Sequence, residues 1–556
     1  MGVKGVAFAS RYEDGTRSPQ SRREHRSQRS NRQIKPLPAQ ILDHCSICLE
    51  EQLFSQAFSL LSNALTSGSG LTSATYVPPV QHLALAATLI VHPKLTTRTT
   101  APEKHAAADD ALHYLIAVVK LLGSCDAELA KAFDFVGKSQ STSRSKRAAN
   151  RRSALTVECG AADDAKLRSP YVDGDALWTN ADDFWSVVGW ALNCSVAHKH
   201  RWERWKVWLD LMLCVLDDDL QGHMATGSVS ESLLAHYLHP IGEGRNNKRR
   251  LMRAILADGK QRSLAEFHEI WPNETKLPME KDNDTRIGKK RKLDLDNNDF
   301  GDYYDNSDAD SPDDSLQESM SATGFFKGAR SRHGPDDWSA RDASDDDTTA
   351  SILMEDKDSG SRSINAFGGI ESIHVRQRFL AMLIALCHHD PTAFLDTEDL
   401  FDLLTEFLRP LPLPVFQQFV LPTTTYLDPD AHSSLNQMLL RALLSNNAPA
   451  YDENALTQDD FETHYAPYPA NTTGVTDNAK VSLIIEDLLR LLWHSGKLAP
   501  SEKLRNAVEA GNDARREKVI SGGRRKTGAK VVDAEEAVAT LEHSAERMRL
   551  CVAMLA

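Results

Sequence analysis

Apolar residues in this chain recur at three- and four-residue steps, and almost never at alternate positions. That regularity restricts the fold more than any other feature, because a three-to-four step places apolar side chains on one helix face, while strands need a step of two. Phe54, Ala57, Phe58, Leu61 and Leu65 follow it, as do Ala111, Leu115, Val118, Val119 and Leu122. Pro78 and Pro79 precede an apolar helix from Val80 to His92, and Pro102 precedes another. Further on, Trp202, Trp205, Leu209, Met212, Leu213 and Leu216 share a face. Phe379, Met382, Leu383 and Leu386 share another, followed by Leu400, Leu403, Leu404, Phe407 and Leu408 behind Asp396 as a cap. Ser434 and Gln437 open a helix through Leu443, Val481 to Trp493 is apolar on one side, and Asp533 caps a last helix. Ser263 and Glu266 have capping-box spacing before Phe267 and Ile270. The reading is all-α, with the helix-pair rhythm of HEAT or armadillo arrays but no recurring consensus residue.

Where the period fails, the chain divides. Residues 1–37 read as a disordered basic arm whose basic residues concentrate at Arg22, Arg23, Arg26, Arg29 and Arg32. A helical domain is expected over 38–272, with a flexible insertion at 138–170 carrying Arg144, Lys146, Arg147, Arg151 and Arg152. Residues 273–365 have few apolar side chains and read as a long disordered linker. A second helical domain spans 366–556, with a basic loop at 513–530. The net charge of −14 lies entirely in the linker: residues 294–358 hold 19 acids and 5 bases, and 5 − 19 = −14. Everything else balances, so the global charge says nothing about what the helical surfaces attract.

No apolar run reaches the roughly 18 residues of a membrane-spanning helix, and no apolar leader follows the arginines of the first thirty residues. No membrane partner is expected. The eight cysteines, at 45, 48, 125, 159, 194, 214, 387 and 551, fall mostly inside apolar helical patterns, as reduced thiols do.

Motifs that carry chemistry are sparse. His44, Cys45 and Cys48 give H-C-x-x-C, but no second ligand pair follows at finger-like spacing, so packing is the expectation. Cys387, His388, His389 and Asp390 end an apolar helix, and this His-Asp pair resembles that of the all-α metal-dependent phosphohydrolases. The resemblance implies His389 and Asp390 as ligands of a metal that activates water, with His374 as the upstream histidine. Pro391 stands where that family turns through small residues, and no downstream aspartate is marked out. Phosphate-binding loops, dinucleotide fingerprints and nucleophile elbows do not occur. Neither a catalytic residue, a cofactor nor a metal is therefore assigned. Six of the nine tryptophans lie between 178 and 208. Trp202, Trp205 and Trp208 fill a helical core or form an aromatic surface for a partner.

The charge clusters say more about compartment. Lys289, Lys290, Arg291 and Lys292 form a compact run in accessible sequence, as a nuclear-import signal requires. Ser307, Ser311, Ser315 and Ser344 each have an acid three residues on, the pattern of acidophilic kinase sites. Arg515, Arg516, Lys518, Arg524, Arg525, Lys526 and Lys530, with the N-terminal arm, suit weak, sequence-independent contact with nucleic-acid phosphates. The expectation is a non-catalytic nuclear scaffold or adaptor binding other proteins in a chromatin, transcription or genome-maintenance assembly. Its rivals are a cytosolic helical adaptor of trafficking or ubiquitin pathways and the hydrolase built on His389 and Asp390.

Overall fold

The computed structural model describes residues 34–67, 74–135, 167–242, 244–278, 359–444, 456–521 and 530–555. These residues are overwhelmingly helical. The longer helices are α1 (Ala39–Glu50), α2 (Phe54–Ser67), α3 (Val80–Val91), α4 (Pro102–Leu121), α5 (Phe184–Ala197), α6 (Lys199–Thr226) and α7 (Arg245–Ile255). After residue 358 come α8 (Ser359–Ala366), α9 (Ile370–His389), α10 (Thr397–Leu408), α11 (Leu413–Val420), α12 (Pro429–Leu444), α13 (Val475–His494), α14 (Glu502–Ser521) and α15 (Lys530–Leu555). Two three-residue strands, β1 (Ile34–Pro36) and β2 (Thr75–Val77), pair in parallel, Lys35 opposite Tyr76.

Local chemistry accounts for several boundaries. Pro102 occupies the first turn of α4, where its missing N–H costs nothing. Asp183 caps α5 by accepting the Ser186 N–H at 2.6 Å. Gly227, at φ 75°, closes α6 in the left-handed conformation that frees the chain to turn. Helix α3 is buried almost all round and packs on α4 and α6, which is why its sequence is a continuous apolar run rather than a stripe.

Several expectations about boundaries are corrected. The arm read as disordered through 37 is ordered from Ile34, where β1 begins, and Leu37 is buried. Ser263 does not cap a helix: it sits inside Gln261–Glu266 and donates to Asn193 Oδ1, while Glu266 turns to Arg253. The linker read from 273 begins later, because Glu274 is wholly buried, and it ends earlier, because α8 starts at Ser359. The insertion read through 170 ends earlier too, since Leu167, Ser169 and the following Tyr171 are buried. The basic loop read at 513–530 is helical as far as Ser521. There Arg515 points inward, donating to the carbonyls of Ala466 and Tyr468 at 3.2 Å each; burial lowers its pKa to about 9. The helices from Ser434 and Asp533 likewise begin earlier, at Pro429 and Lys530.

The helical stretches before and after residues 279–356 join in one compact unit. Helix α9 packs on α6 and α7, and α10 also meets α7. Phe379 of α9 is wholly buried against Phe184 and Trp185 of α5, with ring centroids 6.1 and 6.0 Å apart. Removing a phenyl ring of that size from water is worth about 1.5–3 kcal/mol. Arg376, fully buried, donates to the Ala257 carbonyl at 2.6 Å and lies 4.3 Å over the Phe367 ring. Gly368, at φ 97°, approaches so closely that a Cβ there would stand 2.1 Å from Ser195 Oγ. At the rim, Arg378 pairs with Asp210 at 3.0 Å, Lys206 with Glu371, and Arg249 with Glu406.

This junction predicts how a nicked chain behaves. With a protease site inserted between residues 300 and 340 and cleaved, the two fragments should co-elute from a sizing column in native buffer and part only in denaturant. Separation in native buffer would show that the junction does not hold the halves together.

Candidate functional site

The tryptophan-rich segment is built around one carboxylate. Helix α6 carries Arg201, Trp202, Trp205 and Trp208, all buried, so these indoles form core and not the exposed aromatic surface weighed from sequence. Glu274, wholly buried, gathers five donors. Its Oε1 accepts Arg201 Nε at 2.6 Å, Trp205 Nε1 at 2.8 Å and Trp190 Nε1 at 2.9 Å. Its Oε2 accepts the backbone N–H groups of Ile270 and Trp271, each at 3.2 Å. Arg201 also donates to Thr96 Oγ1 at 3.1 Å and to the Val91 carbonyl, and lies 5.1 Å from the Trp205 ring centroid. Segments far apart in sequence thus converge on one charge whose lone pairs are well satisfied, the condition under which a buried pair is tolerated.

The histidine and cysteine motifs resolve differently. Cys45 and Cys48 are buried on α1, with Cys48 Sγ 4.0 Å from His44 Nε2; burial pushes the Cys45 thiol up to about 11, so it packs as a neutral group. Cys194 and Cys387 are buried as well, and Cys125 is exposed. His374 and His389 both lie on α9. Fifteen residues of helix separate them, about 22 Å at 1.5 Å per residue, so they do not converge on one metal. Asp390 accepts from the N–H and hydroxyl of Thr392 at 3.0 and 2.6 Å, capping the turn that begins at Pro391. The runs at Arg144–Arg152 and Lys289–Lys292, and Ser307, Ser311, Ser315 and Ser344, lie outside the described residues.

Two polar clusters that the sequence did not mark emerge from the packing. In the carboxy-terminal half, His432 Nε2 stands 3.5 Å from Asp487 Oδ2, and Asn436 donates to the same oxygen at 2.7 Å. Burial lowers the His432 pKa to about 4 and raises that of Asp487 to about 7. His432 also lines a cavity of about 20 Å³ with Gln377, Leu380, Phe419 and Tyr426. That is room for one water molecule and no organic substrate.

The second cluster lies between α4 and α6 and opens to solvent. Asp219 and His223 are one turn apart on α6, and Cys125 comes from the turn after α4. Asp219 Oδ1 lies 3.9 Å from Cys125 Sγ and 3.8 Å from His223 Nε2, and the three ligand-type atoms all fall within 4.8 Å of one another. Each neighbour is held from behind. Asp218 Oδ2 accepts the Ser124 N–H at 2.8 Å and the Ser124 hydroxyl at 3.2 Å, fixing the turn that presents Cys125. Asp219 Oδ2 accepts the Leu233 N–H at 2.6 Å. His223 Nδ1 is 2.9 Å from Ser228 Oγ. Burial holds the Asp219 carboxyl above the ordinary range, while the Leu233 N–H and nearby His223 pull it back.

The Glu274 knot makes a stability prediction. Glu274→Ala strands a buried guanidinium and two indole N–H groups, and should lower the unfolding free energy by about 3–5 kcal/mol, read from a urea midpoint at unchanged slope. A loss under about 1 kcal/mol would mean that water satisfies these groups. Compared with known proteins, this chain matches no family model, no curated protein and no solved structure.

Proposed function

We propose that this protein is a non-catalytic nuclear scaffold or adaptor, whose helical surfaces hold other proteins in a chromatin, transcription or genome-maintenance assembly. The observation that carries the binding half of this reading is a surface groove of about 430 Å³ at the amino-terminal end. Ile34, Pro36, Leu37, Leu42, Val77 and Pro78 supply its apolar lining, with Lys35, Asp126 and Glu128 as charged members. Apolar grooves with a few charged members suit protein partners. Helix α1, which carries Leu42, also exposes Ile41 and Ile47, the latter 58% accessible. The nuclear half rests on Lys289, Lys290, Arg291 and Lys292, and on the other basic clusters of the sequence. Weak contact with nucleic-acid phosphates through the basic tails is a subsidiary part of the proposal; Arg515, being buried, takes no part in it. Among the described residues, no helix is long and apolar enough to cross a membrane.

A reporter fused to residues 284–296 should concentrate in nuclei and lose that preference when all four basic residues become alanine. Uniform cytosolic signal from the unmutated fusion would favour the cytosolic adaptor. For the groove, partners recovered from nuclear extract with the full chain should be lost with Ile34→Asp at unchanged far-UV circular dichroism. Identical recovery would place the binding surface elsewhere.

A further inference from the structure

We propose that Cys125, Asp219 and His223 form a zinc site, binding Zn²⁺ through Cys125 Sγ, Asp219 Oδ1 and His223 Nε2 with water in the fourth position. The ligand types are those zinc takes: one thiolate, one imidazole and one carboxylate, with an open position left for solvent. Their spacing fits. In a tetrahedral zinc site, sulfur–oxygen and nitrogen–oxygen neighbours lie about 3.3–3.5 Å apart. Here the two separations from Asp219 Oδ1 are 3.9 and 3.8 Å, and all three ligand atoms lie within 4.8 Å of one another, so closure asks for side-chain movements of up to about an ångström. Asp219 and His223 stand at i and i+4 on α6, the helical spacing that brings two side chains to one ion.

The surroundings favour this reading over a chance meeting of polar groups. Metal-binding side chains are oriented through the atoms that do not touch the metal, and two of the three ligands are held in that way. The second oxygen of Asp219 accepts the Leu233 N–H, the second nitrogen of His223 meets Ser228 Oγ, and Asp218 grips the turn from which Cys125 projects. Asp219 is itself buried, and a buried carboxylate is favoured by a cation beside it. Asp218 adds a second negative group to the same wall. Cys125 lies on the exposed side, giving the ion a route in. On binding, the thiol S–H is replaced by a sulfur–zinc bond and its proton passes to solvent. The site ties the turn after α4 to α6 and leaves one exchangeable ligand on the ion.

Cobalt(II) is the probe, because it takes the same ligands and is coloured when four-coordinate. Titrating Co²⁺ into the chelator-treated full-length protein should give visible d–d absorption and a near-ultraviolet thiolate-to-cobalt band, saturating at one ion per chain and bleached by Zn²⁺. Cys125→Ser should abolish the thiolate band, and His223→Ala should weaken binding at least about 100-fold. Ser228→Ala should weaken it about tenfold. Zinc should raise the melting temperature of the unmutated chain but not of Cys125→Ser, whose exposed side chain leaves the fold intact in chelator. Absence of the thiolate band in folded protein, or a band and affinity unchanged by Cys125→Ser, would overturn the site.

Discussion

Phe379 and Arg376 sit where one half of this protein becomes part of the other, and the architecture depends on that meeting. Phe379 closes a core whose other walls are Phe184 and Trp185. Arg376 spans the boundary by bonding to Ala257 and to its own neighbours Phe367 and Ser372. Among the described residues, no carboxylate is bonded to it, and burial lowers its pKa to about 9 against the opposing pull of Asp258. A guanidinium in the interior is costly unless it is hydrogen-bonded, as this one is; at the same seam Gly368 approaches Ser195 too closely for a Cβ to fit. The polar residues between the halves therefore specify one docking arrangement, while the aromatic rings supply most of the attraction.

The all-α class was legible in the sequence because periodicity is a local property. The helices around Phe54–Leu65, Val80–Val91, Trp202–Leu216, Phe379–Leu386 and Leu400–Leu408 all stand where apolar spacing placed them. Burial of Cys45 and Cys48 was legible for the same reason. What was not legible depends on distant partners. Glu274 stands in a polar stretch and looks like the beginning of a linker; distant Arg201, Trp190 and Trp205 make it core. The Trp202–Trp205–Trp208 spacing marked a buried face, but the choice between core and surface waited on what covered it. Arg515 belongs to a basic run by sequence and to the interior by packing, because two carbonyls await it.

The Cys125–Asp219–His223 cluster shows the same limit from the side of chemistry. Asp219 and His223 are separated by four residues, yet nothing in a run of three aspartates singles one out. Their third member lies 94 residues upstream and joins them only because Asp218 secures the turn beside it. Conversely, His374, His389 and Asp390 looked like a site because they are near in sequence, and the length of α9 sets His374 about 22 Å from the other two. The −14 net charge belongs to the sequence between 294 and 358, so the electrostatics of these pockets are set by the few groups that line them.

The central claim is that the two helical halves share one core, and equilibrium unfolding tests it most directly. Seven of the nine tryptophans lie between 178 and 271, so indole fluorescence reports chiefly on the amino-terminal half, while far-ultraviolet circular dichroism reports on helices throughout. One shared core predicts a single urea transition with coincident midpoints by both probes. Two separated transitions, with fluorescence following only one of them, would contradict it.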